Sequence, residues 1–313
     1  MDSWIPGDQS PLAPGSPFAA AITHTFAVTL GVCAVIAFGV AAAIAYSLVV
    51  FRSRAEGGEP PQVAESPGLE VVWTVVPLAI VTGLFVLTLD TMARSDPLPE
   101  RAPDVTVVGH QWWWEVRYPS GVVTANEIHI PAGRPLLLRV ESADVIHDFW
   151  VPQLARKIDA VPGHPNTLWI GADEPGAYGG TCAEYCGAQH AWMRLLVLAE
   201  TAATFDAWQL AQGAPASAPG NDASARGERV FREEACGTCH AVTGRGFDGR
   251  VAPDLTHVKT RKTLGAGATE QTAQDLRSWL HDPQRIKPGC HMPDFKLSDT
   301  QLSDLVAYLE ERH

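Results

Sequence analysis

The first 51 of the 313 residues contain no lysine or arginine, and from Ala27 to Val50 there is no charged residue of either sign. The first absence argues against a cleavable secretory leader, whose start is expected to be basic, and the uncharged run is long for the apolar centre of one. A second uncharged run, Val71 to Leu89, is bracketed by Glu70 and Asp90. At ~1.5 Å per helical residue either run spans roughly the 30 Å hydrocarbon core of a bilayer. Two such runs so close together argue against a buried core helix and predict a membrane hairpin. Its parts are an exterior N-terminal segment (1–24), a helix (25–51), a cytoplasmic loop (52–69) and a second helix (70–91). Arg52 and Arg54 follow the first run directly, which places the short loop on the cytoplasmic side and both termini outside.

A basic excess is also missing. The net charge is −12, and residues 224–313 hold thirteen charges of each sign, so the acidic surplus lies wholly before residue 224. Nucleic-acid binding, which needs a basic footprint, is excluded. The balance suits a cationic soluble partner or an internal docking face. No internal repeat is evident. Cysteine is scarce, with six in all; Cys33 sits inside the first apolar run as an inert packing thiol.

Beyond Asp104 the pattern changes to strands. "RPLLLRVE" alternates Leu136, Leu138 and Val140 against Leu137, Arg139 and Glu141. "VTVVGHQWWWEVRYPSG", "NEIHIPAG" and "NTLWIGAD" are β-rich and end in turn residues. Several short strands over 104–200 predict a β-sandwich or small barrel. Residues 201–223 read as a helix, roughly Ala202 to Gln212, and then a flexible linker. The Gly/Pro/Ser/Ala bias runs on from Gly213 to Gly227, a stretch reaching roughly 20 Å as free chain. The domain over 224–313 is helical in outline, with Ser298 as an N-cap and Leu302, Leu305, Val306 and Leu309 on one helical face.

Two stretches carry chemistry. "CAEYCGAQHAWM" places Cys182, Glu184, Cys186, His190 and Met193 within twelve residues. A Cys182–Cys186 disulfide would leave His190 and Met193 unexplained. Zinc accepts cysteine and histidine but rarely methionine, whereas thiolate, imidazole and thioether together point to copper. With His147 upstream in "VIHDFWVP", two thiolates can bridge two metals and leave one histidine for each. "CGTCH", Cys236 to His240, adds a histidine to a C-x-x-C pair. Two thioether bonds there fix a porphyrin edge and place His240 to ligate the iron.

The first stretch, together with "GHQWWWEV", "DAVPGHPN" and "LEVVWTVVPL", resembles subunit II of the cytochrome c oxidases over roughly residues 20–200. The resemblance implies a cupredoxin-type all-β domain on a two-helix transmembrane hairpin, holding the binuclear copper centre CuA. Cys182 and Cys186 would bridge the metals and His147 and His190 would cap them. Met193 and the backbone carbonyl of Glu184 would be weak axial ligands. It further implies that Trp112, exposed near the centre in the family, admits the electron. Trp112 and Trp114 would share one face of a strand, and one of them at least would pack the core. Glu70 would stand at the mouth of a proton pathway shared with subunit I, its plain alternative being a carboxylate favoured by a helix N-terminus. The side chain of Glu184 would reach a magnesium ion at the subunit I interface.

The second stretch, with its lead-in "GERVFREEACGTCH", resembles small class I cytochromes c and implies an all-α domain with covalent haem c. Met292 in "CHMPDF" fits that family's Met-Pro pattern as the sixth iron ligand, with His291 as rival. Pro253 would orient His240 through its carbonyl. Cys290 has no counterpart there and reads as a free thiol.

Together these imply an oxidase subunit in the bacterial cytoplasmic membrane, with its copper and haem domains on the periplasmic side. It would pass electrons from haem c to CuA and on to the oxygen-reducing subunit I, coupled to proton translocation, with subunit III alongside. Its donor would be a soluble or membrane cytochrome c, or an upstream quinol-oxidising complex. Two alternatives stand beside this reading: a membrane-anchored copper-handling assembly protein, and the electron-accepting subunit of a CuA-type nitric oxide reductase. The assembly proteins pair Cys-x3-Cys with a later histidine on a thioredoxin-like fold, unlike the early His147 here.

Overall fold

The computed structural model describes residues 9–52, 66–97 and 101–313, in two units, a helical hairpin over 20–97 and the remainder of the chain. Helices α1 (Pro17–Val50) and α2 (Pro67–Ser95) are both long and apolar enough to cross a membrane. Each extends past the uncharged run that predicted it. The Ser16 hydroxyl accepts the Ala19 N–H (3.0 Å) and caps α1 eight residues earlier than expected. Pro67, whose missing N–H costs nothing in a first turn, opens α2 and brings Glu70 into that turn. Within the hairpin the hydroxyls of Thr25 and Thr91 share a hydrogen bond. Most of the expected cytoplasmic loop, with Arg54, lies outside the described residues.

Ten strands follow: β1 (Val105–His110), β2 (Trp113–Arg117), β3 (Val123–Ala125), β4 (Glu127–Pro131), β5 (Leu136–Ser142), β6 (His147–Trp150), β7 (Ile158–Ala160), β8 (Asn166–Ile170), β9 (Gly176–Cys182) and β10 (Arg194–Glu200). They form two five-stranded sheets, ordered β3-β2-β1-β5-β8 and β4-β10-β9-β6-β7. The pairs β1/β5 and β4/β10 are parallel and the others antiparallel. The period-two pattern holds on β5, where Leu136, Leu138 and Val140 are buried and Arg139 is exposed; Leu137 is buried as well. Trp114 and Val116 of β2, Phe149 of β6 and Val197 of β10 are fully buried in this core. Each such side chain contributes about 1.5–3 kcal/mol by leaving water.

One strand expectation fails. Since β2 begins at Trp113, Trp112 is not on the Trp114 face but in the two-residue turn between β1 and β2.

Helix α3 (Ala202–Gln212), capped by Thr201, lays Phe205 and Trp208 against the sandwich. The helical domain is built from α4 (Asp222–Glu233), α5 (Ala273–His281), α6 (Pro283–Ile286) and α7 (Asp299–Glu310), with two short two-stranded ladders. Ser298 and Gln301 form a full capping box on α7.

The flexible linker expected over 213–227 is a different object. From Asp222 onward it is helix α4, with Asn221 accepting the Ser224 N–H as cap (3.0 Å). The preceding residues are pinned: Ala216 N–H donates to Thr243 O (2.9 Å), Arg312 donates to Ser217 O (2.7 Å), and Gly220 N–H to Glu311 (2.9 Å). Gly227 is a packing residue, not a linker residue. A Cβ there would lie 2.0 Å from the Asp304 carbonyl oxygen, so only glycine lets α4 and α7 cross this closely.

Candidate metal centres

Two loops of the sandwich bring the copper-type donors together. His147 opens β6; Cys182 closes β9; Cys186, His190 and Met193 lie on the loop leading into β10. The two sulfurs are 3.8 Å apart, far beyond the ~2.05 Å of a disulfide, and both thiols are free. His147 Nδ1 lies 4.0 Å from Cys182 Sγ, and His190 Nδ1 lies 3.6 Å from Cys186 Sγ. Met193 Sδ is 3.8 Å from Cys186, and the Glu184 carbonyl oxygen is 3.2 Å from Cys182. His147, Cys182, Cys186 and Met193 are all buried. The cage therefore offers two soft sulfurs with one imidazole beside each, a donor set that fits copper and not calcium or magnesium.

The surroundings fix these donors. Asp144 Oδ1 sits 2.8 Å from His147 Nε2, which orients the ring with Nδ1 toward the sulfurs. The Cys186 carbonyl accepts from both Gln111 Nε2 (2.7 Å) and Trp112 Nε1 (3.0 Å). Gly187 makes this possible: its φ is +117°, and a Cβ would meet the Trp112 ring at 3.1 Å. The contact between the two sulfurs lowers the Cys182 thiol below its ordinary pKa against the opposing effect of burial; the same contact, with burial, pushes Cys186 up. One thiol of the pair is thus poised to ionise, while its neighbour keeps its proton until a metal displaces it.

In the helical domain Cys236 and Cys239 flank a 3-10 turn, and His240 Nδ1 lies 2.7 Å from the Pro253 carbonyl. That contact leaves Nε2 for a metal; burial holds the ring below its ordinary pKa, in the neutral form that ligates. Trp279 Nε1 donates to Met292 Sδ (3.2 Å), and Gln284 Nε2 donates to the Met292 carbonyl (2.8 Å). Cys236 and Met292 pack against one apolar cluster that includes Phe231, Phe247 and Leu305. Two thiols, a pinned imidazole and a thioether around an apolar wall fit a covalently attached haem.

The two domains meet face to face, within one compact unit. His291 packs on Trp112, ring centroids 4.9 Å apart, and Trp112 is only 9% exposed. His291 is thereby committed to the sandwich surface. Trp112, exposed in the family pattern, is covered in this chain. Glu184 is exposed, with Oε1 accepting the Tyr185 N–H (3.2 Å). Glu70 is exposed on α2 and belongs to neither centre.

Sequence reading missed Asp144 as the partner of His147, Gln111 as the brace on Cys186, and Trp279 on Met292. Asp144 had a signal in its spacing, three residues before the ligand. The other two are joined to their partners only by the fold.

Residues 12–90 match the family described as cytochrome c oxidase subunit II, transmembrane domain, and residues 121–200 match its periplasmic domain. Residues 224–312 match cytochrome c. Cytochrome c oxidase subunit 2 of Alkalihalophilus pseudofirmus is 35% identical over 95% of this chain and 89% of its own length. The Bacillus subtilis protein of that name is 33% identical over 85% and 81%. Among solved structures, the periplasmic domain of cytochrome oxidase subunit II from Bradyrhizobium japonicum is 29% identical, with a TM-score of 0.35 over 36% of this chain and 95% of that one. With these matches spanning hairpin, sandwich and helical domain, the chain belongs to the cytochrome c oxidase subunit II family, as a membrane-anchored member that carries a C-terminal cytochrome c domain.

Proposed function

We propose that the chain delivers electrons within a proton-translocating cytochrome c oxidase, in the order external donor, haem c, binuclear CuA, subunit I. When bound, these groups supply one-electron carriers; CuA spreads its electron over two metals and so reorganises little. The observation carrying this reading is the pairing of one imidazole with each sulfur across a 3.8 Å sulfur–sulfur gap, which suits two bridged metals better than one.

The protein's own residues keep the ligands still. Asp144 holds His147, while Gln111 and Trp112 hold the Cys186 carbonyl, so one imidazole and one cysteine backbone are braced from behind. The Trp112 indole, bonded to Cys186 and packed under His291, supports its role in admitting the electron. On this reading His240 and Met292 hold the haem iron, and Cys236 and Cys239 attach the porphyrin. Glu184 offers its exposed carboxylate to a magnesium ion against subunit I. Glu70, in the first turn of α2, takes up protons at the membrane face. Arg52 after α1 supports a bacterial cytoplasmic membrane topology with both domains on the periplasmic side, bound to subunits I and III. The donor is a cytochrome c or a quinol-oxidising complex.

The test is metal analysis and turnover of the purified complex. Two coppers per chain, a copper spectrum with one electron shared over both nuclei, and oxygen consumption are expected. A four-line single-copper spectrum overturns the binuclear assignment, and turnover of nitric oxide without oxygen consumption reassigns the enzyme.

A further inference from the structure

The copper and haem domains each bury a charged side chain in the other's backbone. Glu127, on β4 of the sandwich, is 1% exposed, and one carboxylate oxygen accepts the N–H groups of Lys262 (2.6 Å) and Thr263 (3.0 Å) of the cytochrome domain. Lys287, just beyond α6, is 3% exposed. Its Nζ donates to the carbonyls of Trp112 (2.8 Å) and Trp192 (3.0 Å) in the sandwich, and of Gly265 (2.9 Å) in its own domain. Burial pulls the Lys287 pKa down to about 7, but three carbonyl acceptors around Nζ match the three N–H groups of the ammonium form and favour it. Around this pair Gln189 Nε2 donates to the Pro288 carbonyl, and Arg194 N–H donates to Ala266 O (3.2 Å).

A buried charge is tolerated only where its hydrogen bonds are complete. Shifting the domains by one residue would strand a carboxylate on one side and an ammonium on the other. Such groups therefore do more to select one docked register than to add affinity. The register they select puts Lys287 on the Trp112 carbonyl and His291 on the Trp112 ring.

We propose that Glu127 and Lys287 form a charge-exchange latch that registers the cytochrome domain over Trp112 and closes this face of the copper domain to external donors. Electrons then reach the copper centre of this chain through its own haem domain. That consequence rests on the proposed electron route; the latch itself does not.

The full chain, with copper and haem loaded, is compared with its Lys287→Met and Glu127→Gln variants. Two readouts need no turnover: hydrogen exchange at the Lys262 and Thr263 amides, and hydroxyl-radical labelling of Trp112 read by mass spectrometry. Lys287→Met strands three buried carbonyls. It should speed exchange at Lys262 and Thr263 at least tenfold and raise Trp112 labelling several-fold, with both metal spectra retained. Glu127→Gln keeps one acceptor and should act the same way, more weakly. Lys287 also bonds Gly265, two residues from Thr263, so the diagnostic coupling is the rise in Trp112 labelling in Glu127→Gln, whose carboxylate bonds Lys262 and Thr263 instead of Trp112. If Lys287→Met fails to retain its spectra, Glu127→Gln alone decides. Unchanged exchange and labelling in the folded variants, or Trp112 labelled as freely in the unaltered chain, overturns the latch. Failure of oxygen turnover with the latch intact would instead count against the electron route.

Discussion

The copper centre and the haem domain solve one problem in opposite ways. Around the copper-type site each donor atom stands 3.2–4.0 Å from a cysteine sulfur, held at the ends of β6, β9 and β10 of one five-stranded sheet. That sandwich has its own core, from Trp114 to Val197, most of it remote from the ligands. In the cytochrome domain the core is smaller, and Cys236 and Met292 are part of its edge. Cys239 is exposed on a short turn. In one region the metal is a guest of a finished fold. In the other the prosthetic group belongs to the core.

The largest break in this comparison comes from the cysteines. Replacing Cys182 or Cys186 by serine should abolish the copper centre while the sandwich still melts within a few degrees of its normal temperature. Replacing Cys236 and Cys239 together should abolish covalent haem and also the cooperative melting of the cytochrome domain. Copper analysis, haem staining after denaturing electrophoresis and calorimetry read these outcomes. Cooperative haem-free melting at the unchanged temperature would end the distinction.

Gly227→Ala should come next in size. The added methyl meets the Asp304 carbonyl at 2.0 Å, so α4 and α7 must separate, at a cost of about 3 kcal/mol to the cytochrome domain alone. The copper spectrum should not change. This position also shows where the sequence misled. Small residues from 213 to 227 read as a floppy linker, but composition cannot tell a chain that needs freedom from a helix that needs a close neighbour. The proposed copper donors were legible because five of the six lie within twelve residues and soft-donor chemistry narrows the metal. The proposed haem attachment and His240 were legible because C-x-x-C-H is one contiguous device, whereas Met292 lies far outside it. The docked face was not legible. Glu127 meets Lys262 and Lys287 meets Trp112 only after two domains have folded, so neither pair has a local signature. Cutting the chain between 213 and 221 sharpens the point. A dock held by its own contacts keeps internal electron transfer first-order at micromolar protein, whereas a mere tether would make it concentration-dependent.

The two thioethers give a subtler contrast. Met193 is fully buried and Met292 half-buried, its sulfur already accepting from Trp279. If the proposed assignment holds, Met193→Leu should keep two coppers and shift only their potential, because its thioether would be a weak ligand. Met292→Leu should remove the sulfur-to-iron absorption in the red and lower the haem potential. His291→Ala should leave the iron spectrum alone, since that ring is spent on Trp112. An iron spectrum that responds to His291 and not Met292 would reverse the ligand assignment.

The smallest expected effect is electrostatic and confined to the copper domain. Glu115 lies 3.0 Å from His110 Nε2 and 2.8 Å from Arg117 Nη2. Burial raises its pKa, but the hydrogen bonds with His110 and Arg117 outweigh this and hold it at about 2, below the ordinary 4.5. A carboxyl whose pKa is depressed by folding stabilises the fold above the unfolded value and loses that contribution as pH falls through the folded one. The window is therefore pH 4.5 down to about 2. The shift alone would be worth roughly 3 kcal/mol, and solvent screening of a partly exposed group reduces it to about 1 kcal/mol. Glu115→Gln should accordingly cost the sandwich about 1 kcal/mol at pH 7 and nothing near pH 2. Urea unfolding of the full chain, followed by the copper absorption at neutral pH and by tryptophan fluorescence in acid, would trace both curves. Parallel curves that never converge in acid would show that the side chain matters for packing and not for its charge.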